Sequence, residues 1–107
     1  MLLKTQPSKY DIVSVKLTSG EEIVGGFVEF ADNLVIRKPL ALAMTQQGPS
    51  LQPYFMTGDT IHDVKEVEFN KNLVVSMIKT HAPFADAYTQ ATSEVKTAPA
   101  SQSKLIL

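Results

Sequence analysis

Period-two alternation organises most of the chain. Val13, Val15 and Leu17 fall on one face and Ser14, Lys16 and Thr18 on the other, the pattern of a half-buried strand. Ser19-Gly20 ends that strand, and Gly20 suits a tight hairpin turn into Glu21-Glu22 because glycine takes positive φ without a Cβ penalty. The next strand alternates Ile23, Phe27 and Glu29 against Val24, Val28 and Phe30, with Gly25-Gly26 in its middle. Glycines inside a strand cost roughly 0.5–1 kcal/mol each relative to alanine, so the pair predicts a sharp bend or bulge. Ala31-Asp32-Asn33 turns the chain, and Leu34-Val35-Ile36 opens a third strand. Pro39 places that strand at an edge or a bend before Leu40, Leu42 and Met44 resume the alternation.

The middle of the chain reads as an extended hairpin. Thr45 to Ser50 is its turn, with Gly48-Pro49 at the tip, Leu51 to Met56 its return arm, and Thr57-Gly58-Asp59 a second turn. Alternation returns in VKEVEF from Val64, Asn70-Lys71-Asn72 makes a tight polar turn, and LVVSMI follows. Asparagine tolerates the left-handed conformation, which fits that turn. After Lys79 the period becomes helical. Thr80 or His81 caps, Pro83 suits the first turn, Asp86 complements the N-terminus, and Phe84, Tyr88, Ala91 and Val95 share one face of a helix over 80–95. Residues 96–107 are polar with a proline until Leu105-Ile106-Leu107 and read as a mobile tail. Pro7 argues against a long N-terminal helix, and Leu2 and Leu3 are expected to cover a little of the sheet.

At 107 residues the chain is expected to be a single domain with a modest core that self-association would help. No apolar run is long enough for a membrane helix, and the apolar part of MLLKTQPSKY is too short for a signal peptide. Zero cysteines exclude disulfides and thiolate metal sites, in keeping with a cytoplasmic setting. A net charge of −1 means that any nucleic-acid binding must rest on local charge. His62-Asp63 lacks the carboxylate and histidine company that a metal or acid-base site needs, and it reads as a surface dipeptide. The glycine pair has no phosphate-loop context. With no nucleophile beside a base, the chain reads as a non-enzyme without cofactor or metal.

Several residues together carry a family resemblance. Leu17, Gly20, Gly25, Phe27, Phe30, Asp32 and Asn33, followed by Leu34-Val35-Ile36, resemble the first motif of the Sm-like (LSm, Hfq-type) family. Phe69, Lys71, Asn72 and Val75-Ser76-Met77-Ile78 resemble the second, with Asn72 where the family has glycine. The match covers roughly residues 12 to 79 and is most similar to the small Sm-like proteins of marine phages, which would place the chain in a host cytoplasm. It departs from the family in a shorter turn after Phe30, in lacking the aromatic base-stacking position, and in carrying its helix after the sheet.

The resemblance implies a mainly β fold, a small, strongly bent, five-stranded Sm-like (SH3-type) barrel with an extended middle hairpin and a C-terminal helix. It also implies a homo-oligomeric ring joined through edge strands such as VKEVEF and LVVSMI, in which repeated weak contacts add up. Phe30, Asp32, Asn33, Asn70, Lys71 and Asn72 would then be the nucleic-acid contacts, with single-stranded RNA the first expected partner and DNA the second. Such a ring would serve RNA processing or chaperoning. Each residue also has a plainer role: Lys71 as a solvated turn residue, the asparagines as turn formers, Phe30 as core, and the Phe84/Tyr88 stripe as packing. The alternative is a structural or assembly ring without RNA binding, favoured by the acidic balance and the shortened turn, whereas Asn33 and Lys71 favour RNA.

Overall fold

Burial follows the alternation only in part, for Ser14 is buried with its apolar neighbours and Ile23 through Phe27 are buried without a break. In a computed structural model describing residues 6–93, Val13, Val15 and Leu17 of β1 (Ile12–Leu17) are all buried, while Lys16 between them is exposed. The chain continues through β2 (Glu22–Phe30), β3 (Asn33–Thr45), β4 (Gly48–Pro53), β5 (Glu66–Asn70), a 3-10 turn at Lys71–Leu73, β6 (Val74–Lys79) and helix α1 (Ala82–Thr92). The strands form one antiparallel sheet of six, in the order β4-β3-β2-β1-β6, with β5 also paired to β3. β3 is long enough to serve two partners along one edge: residues 33–37 pair with β5 and residues 40–45 with β4.

The main core comes from five of these strands. Val13, Val15, Leu17, Ile23, Phe27, Leu34, Ile36, Phe69 and Met77 form one buried cluster, to which β4 contributes nothing. A second, smaller cluster lies under the helix, where Val24 and Leu40 meet Tyr88, flanked by Ile12, Leu51 and Ala91.

Two register shifts bend the β2/β3 pair. Val24 pairs with Leu40 and Gly26 with Arg37, so β3 carries an extra residue at Lys38-Pro39; Phe27 pairs with Ile36 and Glu29 with Val35, so β2 carries one at Val28. The proline therefore sits in a bulge rather than at a sheet edge, and Lys38 adopts a positive φ of 48°. The second bulge resets the alternation: Phe30, expected on the Val28 face, packs against the main cluster with Phe27. Gly25 is required by proximity. A Cβ there would stand 2.3 Å from Ile36 Cγ2 and 2.9 Å from the Arg37 carbonyl oxygen.

The middle hairpin is present but tighter than expected. Its tip is Gln46-Gln47, and Gly48 (φ 112°) and Pro49 already belong to β4, whose arm ends at Pro53 instead of Met56. Thr45 closes the turn, its hydroxyl accepting from Gln47 N–H and donating to the Gly48 carbonyl. Likewise β5 begins at Glu66, two residues after Val64, and Asp59 begins a turn by accepting the N–H groups of Ile61 and His62.

Helix α1 is shorter than the expected 80–95. Pro83 stands in its first turn, but His81 at the N-cap makes no side-chain bond, and Thr80 instead bonds Ser14 across the strands at 2.8 Å. Asp86 lies beyond the first turn, so no acidic residue complements that end. The Tyr88 hydroxyl donates to the Arg37 carbonyl at 2.7 Å, and burial pushes its pKa up to about 12. At the other end, buried Lys38 donates to the Thr92 carbonyl at 3.2 Å, satisfying a terminal acceptor with a favourable charge. Leu2, Leu3, Val95 and the expected tail at 96–107 lie outside the described residues.

Candidate nucleic-acid interface

The two turns singled out in the sequence converge in space. Asn33, at the start of β3, is paired in register with Asn70, at the end of β5, so residues 37 positions apart stand opposite each other. The convergence follows from β5 adding to β3 in antiparallel sense, which brings the end of one strand to the start of the other.

Side-chain bonds fasten the two turns together. Asn33 Oδ1 accepts the Lys71 backbone N–H at 3.3 Å, and Asn33 Nδ2 donates to Glu68 Oε2 at 2.9 Å. Asn70 Oδ1 accepts the Asn72 N–H at 2.8 Å and thereby caps the 3-10 turn. That capping bond explains the asparagine at Asn70, not the left-handed conformation expected there, for its φ is −59° and no asparagine has positive φ among the described residues.

The six candidate residues divide into two groups. Asp32, Lys71 and Asn72 are exposed, whereas Asn33 and Asn70 have side-chain oxygens engaged locally and Phe30 is half-buried against the core. Ionic character at the turns is mixed, since Glu68 stands beside Asn33.

Two open strand edges flank this end. Among the described residues β5 pairs only with β3, and β6 only with β1. Along β5 runs a groove of about 370 Å³ lined by Phe55, Val64 and Val67 together with the acidic Asp59, Glu66 and Glu68. Along β6, Val75 and Ile78 are more than half exposed, between Lys71 and Lys79. The third open edge, β4, carries Pro49 and Pro53, which lack the N–H needed to pair.

Elsewhere, His62 Nδ1 lies 3.0 Å from Asp59 Oδ2, both side chains being nearly half exposed. The N–H groups of His62 and Ile61 hold the Asp59 carboxyl below its ordinary pKa. His62 and Asp63 are both exposed, and His62 meets Asp59 because the turn folds back three residues. Among the described residues no cluster of three or more metal-ligating side chains occurs, and no helix is long and apolar enough to cross a membrane.

Sequence reasoning missed a third feature, around Tyr10. Arg37 and Lys9 both lie over its ring, at 5.4 and 5.3 Å from the centroid. Lys9-Tyr10 adjacency was visible, but the contact with Arg37 depends on the β3 bulge. No protein-family model matches the chain, and no curated protein matches it significantly.

Proposed function

We propose that this chain is an Sm-like protein that forms a homo-oligomeric ring and binds single-stranded RNA at the joined turns. The observation that carries this reading is the convergence of Asn33 with Asn70-Lys71-Asn72, two segments far apart in sequence, beside two unpaired strand edges. Head-to-tail pairing of β5 with β6 of a second copy would satisfy both edges. It would also set the acidic, apolar groove of β5 against the apolar β6 edge and its Lys79. Repetition then places a circle of Lys71 ammonium groups around one strand of RNA, where individually weak phosphate contacts add.

A structural ring that binds protein instead of RNA is the second reading. It is favoured by the side chains of Asn33 and Asn70, whose oxygens serve the turns themselves, and by the carboxylate of Glu68 beside them. Binding of labelled single-stranded RNA and DNA across a salt series separates the two, with oligomer mass followed in each sample. On the RNA reading, Lys71→Ala leaves the ring intact, weakens binding, and lowers the log–log salt slope by about 0.7 for each phosphate that is no longer neutralised. An intact ring that binds neither nucleic acid at low salt refutes that reading and leaves the assembly role.

A further inference from the structure

Tyr10 is held in a conformation that its side chain does not favour. The Asp11 N–H donates to the Ser8 carbonyl at 3.0 Å, closing a four-residue turn in which Tyr10 occupies the third position with φ 74°. That position ordinarily asks for glycine or asparagine, and a bulky residue at positive φ is a genuine outlier. The turn is fixed on both sides: Ser8 N–H donates to the Asp11 carboxylate, Tyr10 N–H to the Phe27 carbonyl, and Phe27 N–H to the Asp11 carbonyl. Core packing does not account for the choice, because Tyr10 is 52% exposed.

What the strained turn does achieve is an exposed aromatic ring with two cations over it. Arg37, half-buried on β3, lies over the ring at 5.4 Å, and exposed Lys9 at 5.3 Å. Glu66 stands opposite Arg37 in the β3/β5 register and tempers the positive charge. The Asp11 carboxylate is already occupied by Ser8 N–H. A site so balanced is poor for a bare phosphate and suited to a ligand that brings a flat ring along with its negative charge.

We propose that Tyr10, Lys9 and Arg37 form a second contact site for single-stranded nucleic acid, in which Tyr10 stacks on a base and the two cations meet the neighbouring phosphates. The proposal rests on the nucleic-acid reading but uses none of the turn residues. Arg37 lies four residues along β3 from Asn33, about 13 Å at strand rise, so the site is separate from the joined turns. The flexible Lys9 side chain yields its place on the ring to the base and turns to one phosphate, while Arg37, half-buried on β3, stays beside the ring to meet the next. Stacking of this kind tolerates any base.

Glycine at position 10 separates a functional from a structural role, since it relieves the positive φ while removing the ring. Fluorescein-labelled single-stranded RNA is titrated into the full chain and its Tyr10→Gly, Tyr10→Phe, Lys9→Ala and Lys71→Ala variants, with melting temperatures recorded alongside. Tyr10→Gly is expected to weaken binding roughly 5- to 150-fold with an unchanged or raised melting temperature. Tyr10→Phe stays within about twofold of the parent, and Lys9→Ala flattens the salt slope by about 0.7 for each phosphate that is no longer neutralised. Parental affinity in Tyr10→Gly overturns the site, as does a weakening that merely follows a lower melting temperature. If Lys71→Ala weakens binding and Tyr10→Gly does not, the turns stand and this site falls; the opposite result removes the turns and keeps Tyr10. Absence of RNA binding in the parent protein overturns both.

Discussion

The neighbouring glycines of β2 should respond oppositely to alanine. At Gly25 a Cβ would meet Ile36 Cγ2 at 2.3 Å and the Arg37 carbonyl oxygen at 2.9 Å. Neither neighbour yields readily, because Ile36 is fully buried and β-branched and the second atom is backbone. Overpacking of this kind costs about 1–3 kcal/mol, against a gain of about 0.4–1 kcal/mol from a less flexible unfolded chain. A net cost of about 1–2 kcal/mol would lower the melting temperature by roughly 5–15 °C in a domain of this size. At Gly26 the nearest atom is Arg37 Cβ at 3.4 Å, an ordinary contact, so only the unfolded-state gain applies. Gly26→Ala is therefore expected to melt at or a few degrees above the parent. Thermal unfolding by circular dichroism at one protein concentration measures both. If Gly25→Ala melts as high as Gly26→Ala, close approach of β2 to β3 is not what requires the first glycine.

Two further outcomes follow from the helix and the open edge. The Tyr88 pKa is raised to about 12 from 10.0, so the unfolded chain releases this proton first; stability is full below pH 10, falls as pH rises toward 12, and Tyr88→Phe shrinks that alkaline decline in melting curves, leaving the part contributed by Tyr54, whose pKa burial also raises. The same variant removes the hydrogen bond to the Arg37 carbonyl, at a cost of about 0.5–1.5 kcal/mol at neutral pH. On the proposed ring reading, Val75→Asp, at a half-exposed position on β6, would set a carboxylate against the acidic β5 of a neighbour and shift the mass in light scattering from ring to monomer with secondary structure retained. A ring that survives Val75→Asp at micromolar concentration would place the subunit contact on another surface.

Strand identities were legible because apolar residues alternate wherever one face is buried. Val13, Val15 and Leu17 illustrate this, and so does the helical spacing that buries Tyr88. Legibility ended where the chain breaks period. Phe30 changed face because one extra residue at Val28 inverts the alternation, and nothing local marks Val28 as extra. Pro39 signalled an edge or a bend without deciding between them, since a bulge relieves proline of a ladder bond as an open edge does, and the register makes it the bend. At the turns, sequence placed Asn33 near Lys71 only through the resemblance, since their meeting depends on β5 adding to β3. The roles of Asn33 and Asn70 as acceptors for backbone N–H groups needed coordinates, for an amide that shapes a turn and one that reads a base are the same residue type.

The bulge at Lys38-Pro39 ties together surfaces that would otherwise be independent. Arg37 gives its carbonyl to Tyr88, lays its guanidinium over Tyr10 and leaves room for no Cβ at Gly25, while Lys38 reaches the last turn of α1. These contacts share one short segment whose backbone cannot move for one partner without moving for the others. Displacing the Arg37 carbonyl from Gly25 would therefore loosen the helix through Tyr88 and disturb the ring at Tyr10 in the same step. The bulge thus links the packing of the sheet to the helix on one side and to the Tyr10 surface on the other, and it is where the longest strand carries a buried lysine at positive φ.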